Sequence, residues 1–204
     1  MTGSAPITQD VMTSPRKPPE GGTVLLCTAD KNGMMVSFIQ SNYEGFGSGC
    51  VTRGFNISMQ NRGVGFSLNP KSPNRVGPRK RPFHTIIPGM ATRGGKPAMA
   101  FGMMGGPIQA QGHTQMIIRM ARFGQGVQTA IDAPRFRLLD GKRVAVEYHC
   151  PDATVDGLIA LGHDIVREAP NVAFGFGGAQ AIVRHGALYA AGSDPRKDGH
   201  ALVR

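Results

Sequence analysis

A threonine at the head of an apolar run is the residue of this sequence best placed to do chemistry. Thr23 follows a Gly-Gly pair and opens a run that ends at Ala29 and reads as a strand. If the chain cuts itself at the bond after Gly22, Thr23 becomes an N-terminal residue with an exposed hydroxyl nucleophile. The sequence therefore predicts hydrolytic chemistry at Thr23, with residues 1–22 as a flexible arm and residues 23–204 as the domain.

A second glycine pair lies where backbone amides could bind an anion. Gly105 and Gly106 come after a predicted strand that ends near Met103 and before a predicted helix near Gly112. N–H groups at such a junction suit a phosphate or an oxyanion. The chain has no P-loop and no complete dinucleotide fingerprint, so phosphate binding has little support. An oxyanion site and a purely structural glycine turn remain as alternatives.

The six histidines and three cysteines form no catalytic or metal-binding pattern. They show no HExxH motif, no CxxC motif and no Cys/His spacing typical of zinc sites. We therefore expect no metal and no other cofactor, and we expect reduced thiols in a cytoplasmic protein. Cys27 lies in the middle of the first apolar run, where a small buried hydrophobic role is expected.

The composition is that of one globular domain with an excess of basic residues. Hydrophobic residues make up 40% and charged residues 18% of the 204 positions, and 29 glycines with 15 prolines indicate many turns. The formal net charge is +10, but the basic residues are scattered rather than interleaved with aromatics, which argues against nucleic acid. No apolar run is long enough to span a membrane. The charge is either a solvated surface or a face for an acidic partner chain.

The hydrophobic pattern gives strands, then helices, then strands, which favours α+β layers over a βαβ repeat. The first two strands are joined by Asn32-Gly33, a hairpin signal in which both positions are expected to adopt positive φ. Strands are predicted at residues 24–29, 35–41, 83–87, 98–103 and 144–147, a loop with one short strand at 51–78, a turn at 92–96, helices at 112–123, 127–131 and 154–161, and a hairpin of 181–183 with 187–190.

Seven short motifs, taken in order, resemble the gamma-glutamyltransferase family. They run over nearly the whole chain and correspond to the small, catalytic subunit of that family. Each motif is short, whereas their order and spacing together are specific. The motifs are Thr23, residues 30–33 (DKNG), 41–49 (SNYEGFGSG), 77–82 (GPRKRP), 102–106 (GMMGG), 133–136 (APRF) and 192–196 (GSDPR).

This resemblance implies the N-terminal-nucleophile hydrolase fold, an αββα sandwich of which the chain forms the C-terminal, small-subunit part. It implies self-cleavage between Gly22 and Thr23, and catalysis through an acyl-Thr23 ester that water or an acceptor amine releases. The freed α-amine of Thr23, with a pKa of about 8, then acts as the base for its own hydroxyl. By position, Ser41 is the hydroxyl that hydrogen-bonds the nucleophile, while Gly105 and Gly106 supply the oxyanion N–H groups.

Several positions depart from the pattern of the glutathione-cleaving members. Tyr43 replaces an asparagine that holds the glutamyl head, Gly65 replaces the acidic residue for the substrate α-amine, and His84-Thr85 replaces a serine pair for the α-carboxylate. The chain instead resembles the branch with oxamate amidohydrolase and cephalosporin-acylase-like enzymes. Tyr43, His84 and Thr85 are therefore either acyl-pocket residues or structural ones, and a small oxamate- or glutaryl-type amide is the expected substrate.

The resemblance also implies a partner. The large subunit of the family precedes the threonine, completes the sheets and carries an arginine for the substrate carboxylate, whereas only 22 residues precede Thr23 here. We expect a separate large-subunit chain in a heterodimer, a small-molecule amide substrate, and neither nucleic acid nor membrane as partner. The alternative is a truncated, non-catalytic fragment or an interaction module of the same family.

Overall fold

The computed structural model describes residues 22–169 and 175–203. Apart from Gly22, the arm predicted for residues 1–22 lies outside the described residues. The chain divides into two compact units. The first unit comprises Met1–Thr23 and Ser41–Thr85, and the second comprises Val24–Gln40 and Ile86–Arg204.

Strands and helices follow the mixed order of an α+β fold. In chain order they are β1 (Thr23–Ala29), β2 (Met35–Ser41), β3 (Pro88–Arg93), β4 (Lys96–Met104), α1 (Ile108–Ala121), α2 (Val127–Asp132), β5 (Phe136–Leu138), β6 (Arg143–Glu147), α3 (Asp152–Ala160), β7 (Asp164–Glu168), β8 (Gly178–His185) and β9 (Leu188–Ser193).

The predicted first hairpin is confirmed, with a different turn. Strands β1 and β2 form a two-stranded sheet. Within its turn only Gly33 has a positive φ, +90°, so the prediction of positive φ at Asn32 is wrong. The side chain of Asp30 explains the difference, because its Oδ1 accepts two backbone N–H groups of the turn, each at 2.9 Å. One left-handed residue therefore suffices to reverse the chain.

Three layers stack in the second unit. Its central sheet has the order β3-β4-β8-β9 with every neighbouring pair antiparallel. The β1–β2 hairpin covers one face: a Cβ built on Gly102 would lie 2.7 Å from Leu25 Cδ1, and Ser37 Oγ donates to the Phe101 carbonyl at 2.7 Å. Helices α1 and α2 cover the other face through an apolar core. Its buried residues are Met99, Phe101, Met103, Met116, Val127, Ala130, Ile131, Ala179 and Ala181.

A three-stranded sheet of order β5-β6-β7 forms a smaller apolar cluster with α3. Strands β6 and β7 are parallel and α3 connects them, so the chain contains one βαβ unit that the sequence pattern did not predict. Helix α3 ends before Gly162 as predicted. Gly162 has φ +86°, and the N–H groups of Gly162 and His163 donate to Ile159 and Leu158 at 2.8 and 3.1 Å. This arrangement satisfies the last carbonyls of the helix.

The structure corrects the predicted bounds of several other strands and helices. No strand covers residues 83–87, because the N–H of Phe83 donates to Asn74 Oδ1 at 2.9 Å and β3 begins only at Pro88. Residues 51–78 contain a 3₁₀ turn and two isolated bridges instead of a strand. Helix α1 begins four residues earlier than predicted, at Ile108, and ends at Ala121. Strands β5 and β7 were not predicted.

Polar hydrogen bonds hold the described part of the first unit. Asn74, 6% exposed, donates to the Gly65 carbonyl and accepts from Phe83, while Asn61 Oδ1 accepts the N–H of Glu44 at 3.2 Å. Both apolar clusters of the described residues lie in the second unit instead. Several large apolar side chains of the first unit are exposed, and the most exposed are Phe46 (85%), Phe55 (82%) and Leu68 (88%).

Among the described helices, none is both long enough and apolar enough to cross a bilayer.

Candidate active site

The open end of the β1–β2 hairpin brings two of the predicted catalytic residues together. Thr23 is the first residue of β1 and Ser41 is the last of β2, and each strand has seven residues. Thr23 is half-buried. Gly22 is exposed, and a Cβ built on it would have no atom within 4 Å. The predicted scissile bond therefore joins an exposed glycine to a half-buried threonine.

A strained tyrosine follows Ser41. Tyr43 has φ +78°, a left-handed conformation that costs a non-glycine residue about 1–3 kcal/mol. Two neighbours hold it there: its N–H donates to Ser41 Oγ at 2.8 Å, and the guanidinium carbon of Arg62 lies 5.0 Å from the ring centroid. Burial is the larger influence on Arg62, and it lowers the pKa of this guanidinium. Residues held in strained conformations cluster at functional sites, and the acyl-pocket role and the structural role of Tyr43 both stay predictions.

The position predicted to lack an acidic side chain has no space for one. Gly65 is buried, and a Cβ built on it would lie 2.8 Å from the Phe83 carbonyl oxygen. The other two predicted pocket residues, His84 and Thr85, lie in the irregular segment that ends the first unit. His84 is exposed and Thr85 is half-buried.

The glycine pair lies at a strand-to-helix junction, as predicted. Gly105 and Gly106 follow β4 and precede α1 with φ angles of +134° and +67°, conformations that favour glycine. Gly105 is buried, and a Cβ there would lie 2.7 Å from Gly177 Cα and from Ile108 Cγ2. A Cβ on Gly106 would meet nothing within 4 Å. One glycine is thus packed against the backbone, while the other borders open space.

Sequence patterns did not reveal Gly177, which lies directly behind Gly105. Gly177 has φ +71°, and a Cβ built on it would lie 2.5 Å from the carbonyl oxygen of Met104. This position therefore excludes any side chain. The glycine-rich run at residues 175–178 was the available signal, since three glycines in four positions indicate a close approach of two backbones.

Neither Cys27 nor His113 competes as a reactive group. Burial raises the pKa of the Cys27 thiol to about 11, and the smaller effect of a hydrogen bond with Ser37 does not offset it. A thiol of this kind is not a thiolate near neutral pH. Burial lowers the pKa of His113 to about 4, and its ring packs edge-on against Phe101 with centroids 5.2 Å apart. Within residues 22–169 and 175–203, no three His, Cys, Asp or Glu side chains form a group able to hold a metal.

Two of the sequence motifs meet in a buried ion cluster in the second unit. Arg135 pairs with Asp194 at 2.5 Å, and Arg196 pairs with Glu147 at 2.5 Å, with all four side chains at most 6% exposed. The cluster holds two positive and two negative groups. Burial lowers the pKa of Arg135, whereas in Arg196 the effect of burial is outweighed by Glu147 and Asp194, so its pKa is raised.

The layered α+β architecture is that of the N-terminal-nucleophile hydrolases. Within that class, the sequence profile of the gamma-glutamyltranspeptidase family matches residues 3–204. The chain belongs to this family.

Two proteins of similar sequence and one solved structure illustrate what this chain is similar to. The chain is 38% identical over 196 residues to the glutathione hydrolase-like YwrD proenzyme of Bacillus subtilis, covering 91% of this chain and 36% of that protein. It is 37% identical over 187 residues to the oxamate amidohydrolase proenzyme of Klebsiella pneumoniae, covering 89% and 35%. The crystal structure of cephalosporin acylase from Bacillus halodurans matches with a TM-score of 0.80 and 47% identity, covering 86% of this chain and 33% of that one. The chain thus spans about a third of the length of these relatives.

Proposed function

We propose that this chain is the catalytic part of an amidohydrolase that cleaves itself between Gly22 and Thr23 and then acts on small amides. The observation that carries the proposal is the location of Thr23, at the head of β1 and at the same hairpin end as Ser41, in a chain of this family. The names of the curated relatives support it, because both are called proenzymes.

The cleavage step needs only the threonine and water. Thr23 Oγ attacks the carbonyl carbon of Gly22, the new C–O bond forms as the C–N bond breaks, and the α-nitrogen of Thr23 gains the proton. Water then hydrolyses the ester and leaves the Gly22 carboxylate and a free Thr23 amine. That amine, with a pKa of about 8, is a suitable base at neutral pH.

Turnover repeats the same chemistry on a substrate amide. The α-amine of Thr23 accepts the proton of Oγ as Oγ attacks the carbonyl carbon, and the proton passes to the departing nitrogen. In the proposal, the N–H groups of Gly105 and Gly106 hold the oxyanion, the role that their positions in the family imply, and their φ angles of +134° and +67° account for glycine at both positions. Ser41 Oγ orients the nucleophile, and water releases the acid from the acyl-Thr23 ester.

We also propose a large-subunit region as the partner of this chain, because the chain spans about a third of the length of its relatives. In the second unit, the outer face of the β1–β2 hairpin is apolar and exposed, at Val24, Leu26, Val36 and Phe38. A two-stranded sheet with both faces apolar is characteristic of a buried layer. The exposed Phe46, Phe55 and Leu68 of the first unit support the same conclusion for that unit by itself.

Intact mass measures the cleavage directly. We expect the purified chain, mixed with the large-subunit region of the Klebsiella relative, to lose the mass of residues 1–22 and keep a chain that begins at Thr23. The same measurement on the chain alone shows whether the partner is required. A persistent mass of all 204 residues under both conditions would favour the inert alternative, a non-catalytic fragment or interaction module.

The substrate prediction follows from Gly65. A glutamyl substrate carries an α-ammonium, which needs a counter-charge when desolvated. A Cβ at Gly65 would already lie 2.8 Å from the Phe83 carbonyl, so the position expected to supply that charge cannot do so. We expect kcat/KM for oxamate or a glutaryl amide to exceed that for glutathione by at least about tenfold, equivalent to about 1.4 kcal/mol. Similar values for glutathione would contradict this assignment.

A further inference from the structure

The segment behind Gly105 is tied to the buried ion cluster. Gly177 Cα lies 2.7 Å from the position a Gly105 Cβ would occupy, so the two backbones touch without an intervening side chain. This contact extends the β4–β8 pairing by one step, since Met104 is already paired with Gly178. The backbone of Gly177 therefore lies directly against the backbone of Gly105.

Two members of the cluster form hydrogen bonds with backbone groups before and after Gly177 in the sequence. Arg135 Nη1 donates to the Phe176 carbonyl at 2.8 Å, and the Ala179 N–H donates to Asp194 Oδ2 at 2.7 Å. The same Asp194 oxygen accepts Arg135 Nη2 at 2.5 Å, so one ion pair binds both flanks of Gly177. Arg135 and Asp194 are 3% and 1% exposed, and Phe176 is 1% exposed. Because these groups are buried, water does not compete for their charge-assisted hydrogen bonds, which therefore hold the backbone of residues 176–179 strongly.

The other half of the cluster also contacts Asp194, because Arg196 Nη1 donates to Asp194 Oδ1 at 3.2 Å. Arg196 donates to the carbonyls of Ile131, Asp132 and Ala133 at the end of α2, and it pairs with Glu147 at the end of β6. None of its contacts among the described residues reaches the segment at 175–179. The chain thus contains a graded control, since Arg135 contacts the segment behind Gly105 directly, whereas Arg196 reaches it only through Asp194.

From this geometry we propose that Arg135 and Asp194 are positioning residues for the glycine pair. Their hydrogen bonds hold the backbone at Gly177 in place. Because Gly177 packs against Gly105, it fixes the φ angle of Gly105. That angle in turn sets the orientation of the backbone N–H groups proposed to bind the oxyanion. The inference rests on the proposed function for its catalytic consequence, but the mechanical link from Arg135 to Gly105 stands independently of it.

Amide NMR of the ¹⁵N-glycine-labelled chain tests the link without any activity. Arg135→Lys keeps the positive charge but loses the guanidinium group whose two nitrogens bind the Phe176 carbonyl and Asp194. In this variant we expect the amide signals of Gly105, Gly106 and Gly177 to shift or broaden. In the control Arg196→Lys, which loses only the indirect contact through Asp194, these three signals should move less than in Arg135→Lys, while signals near α2 move. Unmoved glycine signals in Arg135→Lys, or equal movement in both variants, would overturn the proposal.

Kinetics of the cleaved enzyme with its large chain test the catalytic consequence. Removal of one oxyanion donor lowers kcat by about 10²–10³, and misalignment of a donor should cost part of that. We therefore expect Arg135→Lys to lower kcat for oxamate by at least about tenfold with KM unchanged, and Arg196→Lys to leave kcat within about twofold. An unchanged kcat in Arg135→Lys would overturn the positioning role. A wild type without turnover would instead contradict the proposed function, and the glycine signals would still decide the mechanical link.

Discussion

Replacement of Thr23 by alanine is expected to abolish both self-cleavage and amide hydrolysis. The proposed mechanism obtains its nucleophile and, after cleavage, its base from this one residue, and loss of a nucleophile costs about 10⁴-fold or more in rate. Intact mass should show the uncleaved chain of 204 residues, and hydrolysis of oxamate should fall to the background level. Since Thr23 is half-buried at the first position of β1, the smaller alanine should not prevent folding.

The conservative variant provides the control. Thr23→Ser keeps the hydroxyl and the α-nitrogen, so it should still cleave, and circular dichroism should show the same fold in all three proteins. If Thr23→Ala cleaved at the same bond or retained wild-type turnover, the nucleophile would have to be another residue, and the proposed function would fail with it.

Replacement of Glu147 by alanine should give the largest loss of stability. Its carboxylate is 0% exposed and accepts Arg196 Nε at 2.5 Å, Arg196 Nη2 at 2.6 Å and the Arg135 N–H at 2.8 Å. Truncation leaves the Arg196 guanidinium buried without its main counter-charge. Removal of one partner of a buried ion pair typically costs about 3–5 kcal/mol. Urea denaturation should show this as a lower midpoint of unfolding.

An exposed ion pair at the turn between β5 and β6 provides the comparison. Asp140 lies 3.3 Å from Arg143 with 73% of its side chain exposed, so Asp140→Ala should change the free energy of unfolding by at most about 1 kcal/mol. Glu147→Gln keeps an acceptor oxygen, so its loss in the free energy of unfolding should lie between those of Glu147→Ala and Asp140→Ala. A loss below about 1 kcal/mol in Glu147→Ala would mean that the cluster contributes little, as some buried pairs do.

Local signals in the sequence predicted the local structure well. The hairpin of β1 and β2 and the end of α3 at Gly162 were both predictable, because turn residues and helix caps act within a few positions. The prediction failed at residues 83–87, where the apolar pattern suits a strand. There the N–H of Phe83 is bound by the side chain of Asn74, which no periodicity of the segment itself reveals.

Long-range partners explain what else was missed. Strand β7 pairs with β6 in parallel across α3, and its short sequence gives no sign of that neighbour. Arg135 and Asp194 are 59 positions apart, and only the fold brings them into one buried pair. Thr23 could be singled out because it follows a glycine pair and precedes a predicted strand, and Ser41 because of the resemblance to the family. The contact between Gly105 and Gly177 could not be predicted from the sequence, because it depends on the register in which β4 pairs with β8.

The β4–β8 pairing also has a consequence for biosynthesis. Met104 and Gly178 are neighbours in the sheet but 74 positions apart along the chain (178 − 104), so the contact has a high loop-closure cost and forms late. At about 5–20 residues per second, the ribosome delivers β8 roughly 4–15 seconds after β4. An unfinished chain already carries Thr23 but lacks the strand that supports the glycine pair. In the proposed mechanism, the order of synthesis therefore delays substrate turnover, which uses the glycine pair, until the C-terminal strands have been made.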